Sequence, residues 1–182
     1  MRIVIDGPIG SGKTTILRML QEIGYNVRFE QINQWPLEQF YKDPRRWAFT
    51  LQMAILKTME IPEDGTIHER CIQTSNHVFW EMLSDTFSPI ENEIYQYFYE
   101  KHVWIPDIHI YLDATPEKCF ENIQKRIQTG DSFVTMEYMV KLDQAYKKFT
   151  EKHPIIKIDA NLCISEVFKN VCQVIGCQQP LS

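Results

Sequence analysis

The chain has 182 residues, enough for one domain with a full core, and 44% of them are hydrophobic. Its formal net charge of −5 argues against general nucleic-acid binding, which needs a basic face, but not against a phosphate site, where local positive charge suffices. No apolar run is long enough to span a membrane. The five cysteines (Cys71, Cys119, Cys163, Cys172, Cys177) are odd in number and lack CxxC spacing, so they read as reduced thiols rather than a disulfide framework or a zinc site. Strand-like sequence begins at residue 2, which predicts no signal or transit peptide and a cytoplasmic protein.

Residues 2–6 are a short β-branched run, read as a buried strand. Gly7-Pro8-Ile9-Gly10-Ser11-Gly12-Lys13-Thr14 then fits the phosphate-loop pattern GxxxxGK[ST] without a gap. Ile16, Leu17, Leu20 and Ile23 follow at helical spacing, so the motif lies between a strand and a helix, as it must. Backbone amides of residues 7–15, up to Thr15, can cradle a polyphosphate at the helix N-terminus. Lys13 would reach the β- and γ-phosphates, and the Thr14 hydroxyl would sit on Mg²⁺. A glycine-rich turn that binds nothing is the bland alternative, and the agreement of motif and context weighs against it.

Residues 25–30 read as a second strand ending in Glu30, and residues 34–42 as a short helix. Asp43-Pro44 opens a longer, largely buried helix to about residue 60. A turn at 63–65 leads to a brief strand at 66–69, closed by Arg70. Residues 76–83 and 90–102 read as helices, 107–112 as a strand, and 116–127 as a helix opened by Thr115-Pro116-Glu117. A polar loop at 129–134, a helix at 135–152, a last strand at 155–159 and a helix at 164–175 complete the chain. Strands alternating with helices predict an α/β fold, a parallel five-stranded sheet flanked by helices, in a single domain over residues 1–182. Ligands then sit outside the strand carboxyl ends, where the P-loop, Glu30 and Glu69-Arg70 converge. Glu30 suits a base for an attacking hydroxyl, Glu69 a magnesium ligand, and Arg70 a neutraliser of phosphate charge. Each alone reads equally as a strand-end charge or an ion pair; the neighbouring P-loop favours chemistry. The histidines show no metal-ligand spacing, and Asp6, just ahead of the P-loop, reads as orienting loop groups.

Further residues carry a resemblance. The P-loop, Glu30 followed five residues later by Trp35, Tyr41-Lys42-Asp43-Pro44-Arg45-Arg46-Trp47, Gln52, Glu69-Arg70 and Tyr111-Leu112-Asp113-Ala114-Thr115-Pro116-Glu117 occur in this order. Together they resemble the deoxynucleoside kinases, over nearly the whole chain. The resemblance implies a P-loop kinase fold with a short lid at about residues 122–134. It implies transfer of the ATP γ-phosphoryl group, with Mg²⁺, to the 5′-hydroxyl of a deoxynucleoside, by a homodimer. Glu30 is then the base, Arg70 lies near the 5′ end, and Glu69 joins Thr14 at the metal. Trp35 and Phe79 pack around the nucleobase, Gln52 pairs with its edge, Ile55 lines the pocket, and Tyr41 and Asp131 hold the sugar 3′-hydroxyl. Trp35 and Phe79 can equally be core aromatics, whereas Gln52 on an apolar helix face is unusual for core.

Three departures from the family pattern carry information. Where deoxycytidine-preferring members pair an Arg and an Asp beside the base, this chain has Met59 and Ser75, which favours thymidine and other pyrimidine deoxynucleosides. The lid positions usually held by three arginines carry Asn122, Arg126 and Gln128, leaving Arg126 as the lid candidate for the γ-phosphate. The segment after Trp35 is short, as in bacterial and viral members. Two alternatives stay open: a monophosphate kinase such as thymidylate kinase, and a nucleotide-binding module that has lost catalysis. The Glu30–Trp35 spacing favours a neutral acceptor over the first, and intact Glu30 and Glu69 argue against the second.

Overall fold

The central strand is β1 (Ile3–Asp6), four residues that are all buried because both faces of the sheet are covered. The computed structural model describes residues 1–59, 61–126 and 131–177. After β1 come the P-loop, α1 (Lys13–Glu22) and β2 (Asn26–Arg28). Two helices follow, α2 (Leu37–Lys42) and α3 (Pro44–Thr58), and then β3 (Thr66–Glu69). A short α4 (Ile72–Thr74) runs without a break into a π-helical turn, Ser75–Trp80, ahead of α5 (Pro89–His102). The chain closes through β4 (Ile108–Asp113), α6 (Pro116–Lys125), α7 (Met136–Lys152), β5 (Ile156–Asp159) and α8 (Ile164–Ile175). The strands order as β2-β3-β1-β4-β5 and every pairing is parallel, the expected α/β sheet flanked by helices. Ile5 lies opposite both Glu69 and Ile110, and Asp6 opposite Tyr111, so β3 and β1 end within one residue of each other and β4 runs two residues further, to Asp113.

Alternation along β1 divides the core. Ile3 and Ile5 pack with Leu17 and Leu20 of α1 and Val171 of α8 on one face. Val4 points the other way, into Leu56 of α3 and Tyr95 of α5. There the Trp80 ring lies between Phe87 and Tyr95, each centroid 3.7 Å away and nearly parallel. Helix starts follow the sequence signals: Asp43 accepts from Arg46 N, Thr115 from Lys118 N, and Ser88 with Glu91 forms a full capping box. Each such cap is worth about 1 kcal/mol.

Three element readings need correction. The helix expected at 76–83 begins earlier, at Ile72, because burial of Thr74, and of Ile72 in the cluster around Val4 of the central strand, supplies what an ordinary cap signal does not. The helix expected to reach residue 127 stops at Lys125, and Arg126 is already extended at φ −96, ψ 150. Asp131–Phe133, expected as loop, is one 3-10 turn. Residues 127–130, which include Gln128 of the expected lid, lie outside the described residues.

Candidate active site

The P-loop packs tightly against α6. Gly10 has φ +84, and a Cβ there would come 2.4 Å from the Cys119 carbonyl oxygen of α6, so only glycine fits. Asn122 of α6 donates to the Gly10 carbonyl at 2.8 Å, tying the helix to the loop. Lys13 is buried, and its Nζ donates to the Pro8 carbonyl at 2.9 Å. Burial, followed by the nearby Arg70 charge, lowers the Lys13 pKa, while Glu30, Glu69 and Asp6 oppose that. Ser11 Oγ is buried with no hydrogen-bond partner among the described residues, so the loop holds a hydroxyl free to donate to an anion's oxygen or to a bridging water. Pro8, Ile9 and Gly12 complete the loop, with Gly12 in the left-handed conformation at the N-cap of α1.

The charged cluster forms where β1, β2 and β3 end. Thr14 Oγ1 donates to Glu69 Oε1 at 2.6 Å, so a hydroxyl and a carboxylate present hard oxygen donors side by side. This donor set fits Mg²⁺. Glu69 Oε2 accepts from the Glu30 amide at 3.4 Å. Glu30 Oε1 meets Arg70 Nη1 at 2.5 Å, with side chains only 12% and 7% exposed. Burial pushes the Glu30 carboxyl above its ordinary range; Arg70 pulls the other way, and Glu69 adds to the rise. Burial works against the Arg70 charge, but Glu30, Tyr146 and Asp6 overturn it and raise its pKa well above the ordinary arginine range. Among the described residues Arg70 is the one non-glycine with positive φ, at 65, a strain of the kind found at functional sites. Its guanidinium carbon lies 4.6 Å from the Phe79 ring centroid.

A cavity of about 970 Å³ opens from this cluster, the upper end of ordinary ligand pockets. Lys13, Thr14, Glu30, Glu69, Arg70 and Arg126 line its charged part. Trp35, Tyr41, Gln52, Ile55, Ser75 and Phe79 line the rest. Gln52 is 1% exposed, and its Oε1 has no partner among the described residues, as an amide awaiting a ligand would be. Trp35 is oriented by its Nε1 donating to Thr58 Oγ1 at 3.0 Å. Burial, with Asp131 second, raises the Tyr41 phenol to about 12, so it remains a donor at any working pH. Thr15 lines the cavity beyond the P-loop lysine.

The model of the deoxynucleoside kinase family matches residues 3–175. The chain belongs to the deoxynucleoside kinase family. It is a nucleoside kinase, a phosphotransferase. The kinase is 32% identical over 185 residues to the 029R protein of Invertebrate iridescent virus 3, covering 96% of this chain and 95% of that one. It is 30% identical over 176 residues to the deoxyadenosine kinase of Dictyostelium discoideum, covering 86% of this chain and 71% of that one. A solved deoxyadenosine kinase of M. mycoides, with dCMP and dCDP bound, superposes at a TM-score of 0.85 over 97% of this chain and 98% of its own, at 24% identity, which speaks to the fold. Other relatives carry the names deoxycytidine, deoxyguanosine and thymidine kinase, so the base preference does not follow from kinship.

Sequence and structure differ on three points of the kinase's site. Met59 does not line the large cavity; it lines a small pocket of about 60 Å³ beside it, with Trp35 and Glu30, and its sulfur accepts from Ser75 Oγ at 3.6 Å. The reason is that α3 ends at Thr58, and Met59 follows in extended conformation. Asp131 does line the cavity, but both its oxygens are engaged by Arg126, Nε to Oδ2 at 2.7 Å and Nη2 to Oδ1 at 3.0 Å. Glu30, Arg126 and Asp131 thus line one cavity, the last two paired with each other and Glu30 with Arg70. Phe79 offers one ring face at most to a base, since Arg70 covers the other. The sequence reading passed over Phe29, Leu83 and Tyr138 in the cavity wall, and Tyr146 behind it; none of them carries a local signal that would distinguish it.

Proposed function

We propose that this kinase transfers the γ-phosphoryl group of ATP to the 5′-hydroxyl of a pyrimidine deoxynucleoside, with thymidine accepted. The observation that carries the reading is the meeting of Glu30, Arg70, Lys13 and the Thr14–Glu69 pair at one end of a cavity whose other end holds the unpartnered Gln52 amide. The deoxynucleoside 5′-hydroxyl lies against Glu30, which takes its proton as the oxygen attacks. Arg70 keeps two of its five N–H groups clear of the contacts to Glu30, Gly7 and Tyr146, and these stabilise the charge shifting between donor and acceptor. Lys13 and the loop amides hold the β- and γ-phosphates. Thr14 and Glu69 would hold Mg²⁺, which when bound offsets phosphate charge. Arg126 would add a cation at the γ-phosphate once the nucleoside's 3′-hydroxyl, also met by Tyr41, competes for Asp131.

The pyrimidine preference rests on Ser75. Its small side chain leaves room beside the base edge and demands no exocyclic amine, while Gln52 offers a donor and an acceptor to the base. A homodimer is part of the same proposal: α5 leaves Ile90, Ile94, Tyr97 and Phe98 exposed, an apolar strip of the kind that pairs between subunits. No helix among the described residues is long and apolar enough to cross a membrane, which is consistent with work in the cytoplasm. The test is ATP-dependent phosphorylation of each of the four deoxynucleosides and of dTMP. Product from thymidine and deoxycytidine with none from dTMP supports the proposal. Product from purine deoxynucleosides alone overturns the base preference, and product from dTMP alone overturns the acceptor class.

A further inference from the structure

Behind the charged cluster lies a second layer that the reaction as described does not use. Asp6, the last residue of β1, is 1% exposed and its carboxylate is saturated with donors. Oδ1 accepts from Gly7 N at 2.7 Å and from the Tyr146 hydroxyl at 2.8 Å. Oδ2 accepts from Thr74 Oγ1, and His109 Nε2 is 3.3 Å away. Tyr146 reaches this point from the middle of α7, 140 residues along the chain, and is 0% exposed. Its ring is held in place by Tyr111 at 5.2 Å and, edge-on, by Phe79 at 6.2 Å.

The Tyr146 oxygen has one hydrogen to give and lone pairs to receive. The shortest and most strongly polarised acceptor for that hydrogen is the Asp6 carboxylate. The same oxygen then accepts from Arg70 Nε at 3.2 Å. Arg70 Nε is 3.5 Å from Asp6 itself, too far for a good direct hydrogen bond, so Tyr146 bridges the gap. With Nη2 on the Gly7 carbonyl at 3.1 Å and Nη1 on Glu30, the guanidinium is fixed on three edges and on one face by Phe79.

We infer that Tyr146 is a positioning residue for phosphoryl transfer: anchored by its hydrogen bond to Asp6, the neutral phenol fixes the plane of the Arg70 guanidinium so that two N–H groups face the transferring phosphate. The inference rests on the proposed role of Arg70. The alternative is that Tyr146 merely fills the core. Geometry separates the two, because the hydroxyl adds no packing that the ring does not already provide. A guanidinium held at Glu30 and Gly7 alone can pivot about those contacts, and an angstrom of misplacement is costly for transition-state stabilisation. Substrate binding by Trp35, Gln52 and Tyr41 involves neither Asp6 nor Tyr146.

The experiment is a double-mutant cycle on purified full-length protein, with kcat and nucleoside KM measured on the deoxynucleoside the wild type turns over. Tyr146→Phe is expected to lower kcat about tenfold or more, a misplacement effect of the usual order, with KM within about twofold. Arg70→Lys removes the Nε donor and the planar fork. Adding Tyr146→Phe to Arg70→Lys is then expected to cost nothing further, since the hydroxyl has no guanidinium left to orient. Thr74→Val removes a different donor from the same Asp6 carboxylate and does not touch Arg70; it serves as the control for damage to Asp6 and is expected to cost less than Tyr146→Phe. Should Tyr146→Phe fold poorly, Asp6→Asn, which keeps the acceptor oxygen and removes the charge, gives a second cycle against Arg70→Lys with the same expectation. Losses that multiply in the double variant, or a Tyr146→Phe enzyme with wild-type kcat, overturn the inference. The wild-type turnover in the same assay tests the proposed reaction separately, because the inference is read only from ratios between enzymes.

Discussion

Replacing Glu30 with glutamine tests the proposed base most directly. Gln keeps the shape of the side chain and an oxygen that can still accept from Arg70 Nη1, now 2.5 Å from Glu30 Oε1. What it loses is the capacity to take a proton. Loss of a general base costs roughly 10²–10⁴-fold in rate, or about 3–5 kcal/mol of barrier. Two effects on folding oppose each other. Breaking a buried pair by removing one charge can cost about 3–5 kcal/mol when the other charge is stranded. Here Arg70 is not stranded, because Asp6 lies 3.5 Å from its Nε and the Gly7 carbonyl and Tyr146 still accept from it. Gln also escapes the desolvation that raises the Glu30 pKa. The net change should stay near 1 kcal/mol, a shift in melting temperature of about 2–4 °C for a chain this size. The assay is kcat by a coupled ADP readout, with ATP affinity by calorimetry and a thermal melt on the same preparation. A Glu30→Gln protein with ATP binding intact and kcat down at least about 100-fold fits the reasoning. Phosphorylation at wild-type rate would refute it, and so would a collapse in melting temperature, which would make Glu30 structural.

Three further outcomes are expected. Gly10→Ala forces a Cβ to within 2.4 Å of the Cys119 carbonyl at a backbone φ of +84, so the P-loop and α6 must separate; ATP affinity should fall at least about tenfold, with a loss of stability of about 1–3 kcal/mol, measured by calorimetry and melting. Although burial disfavours its charge, Asp6 has a folded pKa far below 3.8 because His109, Arg70 and Thr74 outweigh that cost. A lowered carboxylate pKa adds stability above the unfolded value that is lost as pH falls below about 3.8 towards the folded value, so Asp6→Asn should flatten the acid limb of a stability-versus-pH curve; an unchanged limb counts against the assignment. Met59→Arg combined with Ser75→Asp, at positions whose side chains already touch at 3.6 Å, should raise the kcat/KM ratio of deoxycytidine to thymidine by tenfold or more, and a ratio that stays put removes Ser75 from the base edge.

Much of the site could be read locally. The P-loop announces itself because its chemistry demands glycines, a lysine and a hydroxyl at fixed spacing within eight residues. Glu30 and Glu69-Arg70 were legible because strand ends in a parallel sheet share one edge, so three short segments imply one crevice before any contact is known. The helix caps at Asp43, Ser88 and Thr115 are likewise matters of adjacent residues. The positions of Trp35, Gln52 and Phe79 in the cavity wall were reached through resemblance, since an aromatic or an amide on a helix face looks the same whether it meets a ligand or the core.

Only the tertiary structure decided the rest. The π-helical turn at Ser75–Trp80 has no sequence period of its own, and it presents Ser75 and Phe79 to the same cavity. Met59 was displaced from that cavity by where α3 ends, a boundary set by packing rather than propensity. The pairing of Arg126 with Asp131 commits two residues that the sequence assigned to different substrate groups. Arg70 takes a left-handed backbone that nothing in Glu69-Arg70-Cys71 announces. Tyr146 meets Asp6 across 140 residues, and no local pattern can signal a partner so distant. The sequence by itself marked out the groups proposed to meet phosphate, because phosphate chemistry is written in short motifs. Folding determined which side chains hold those groups still, because that depends on which buried faces meet.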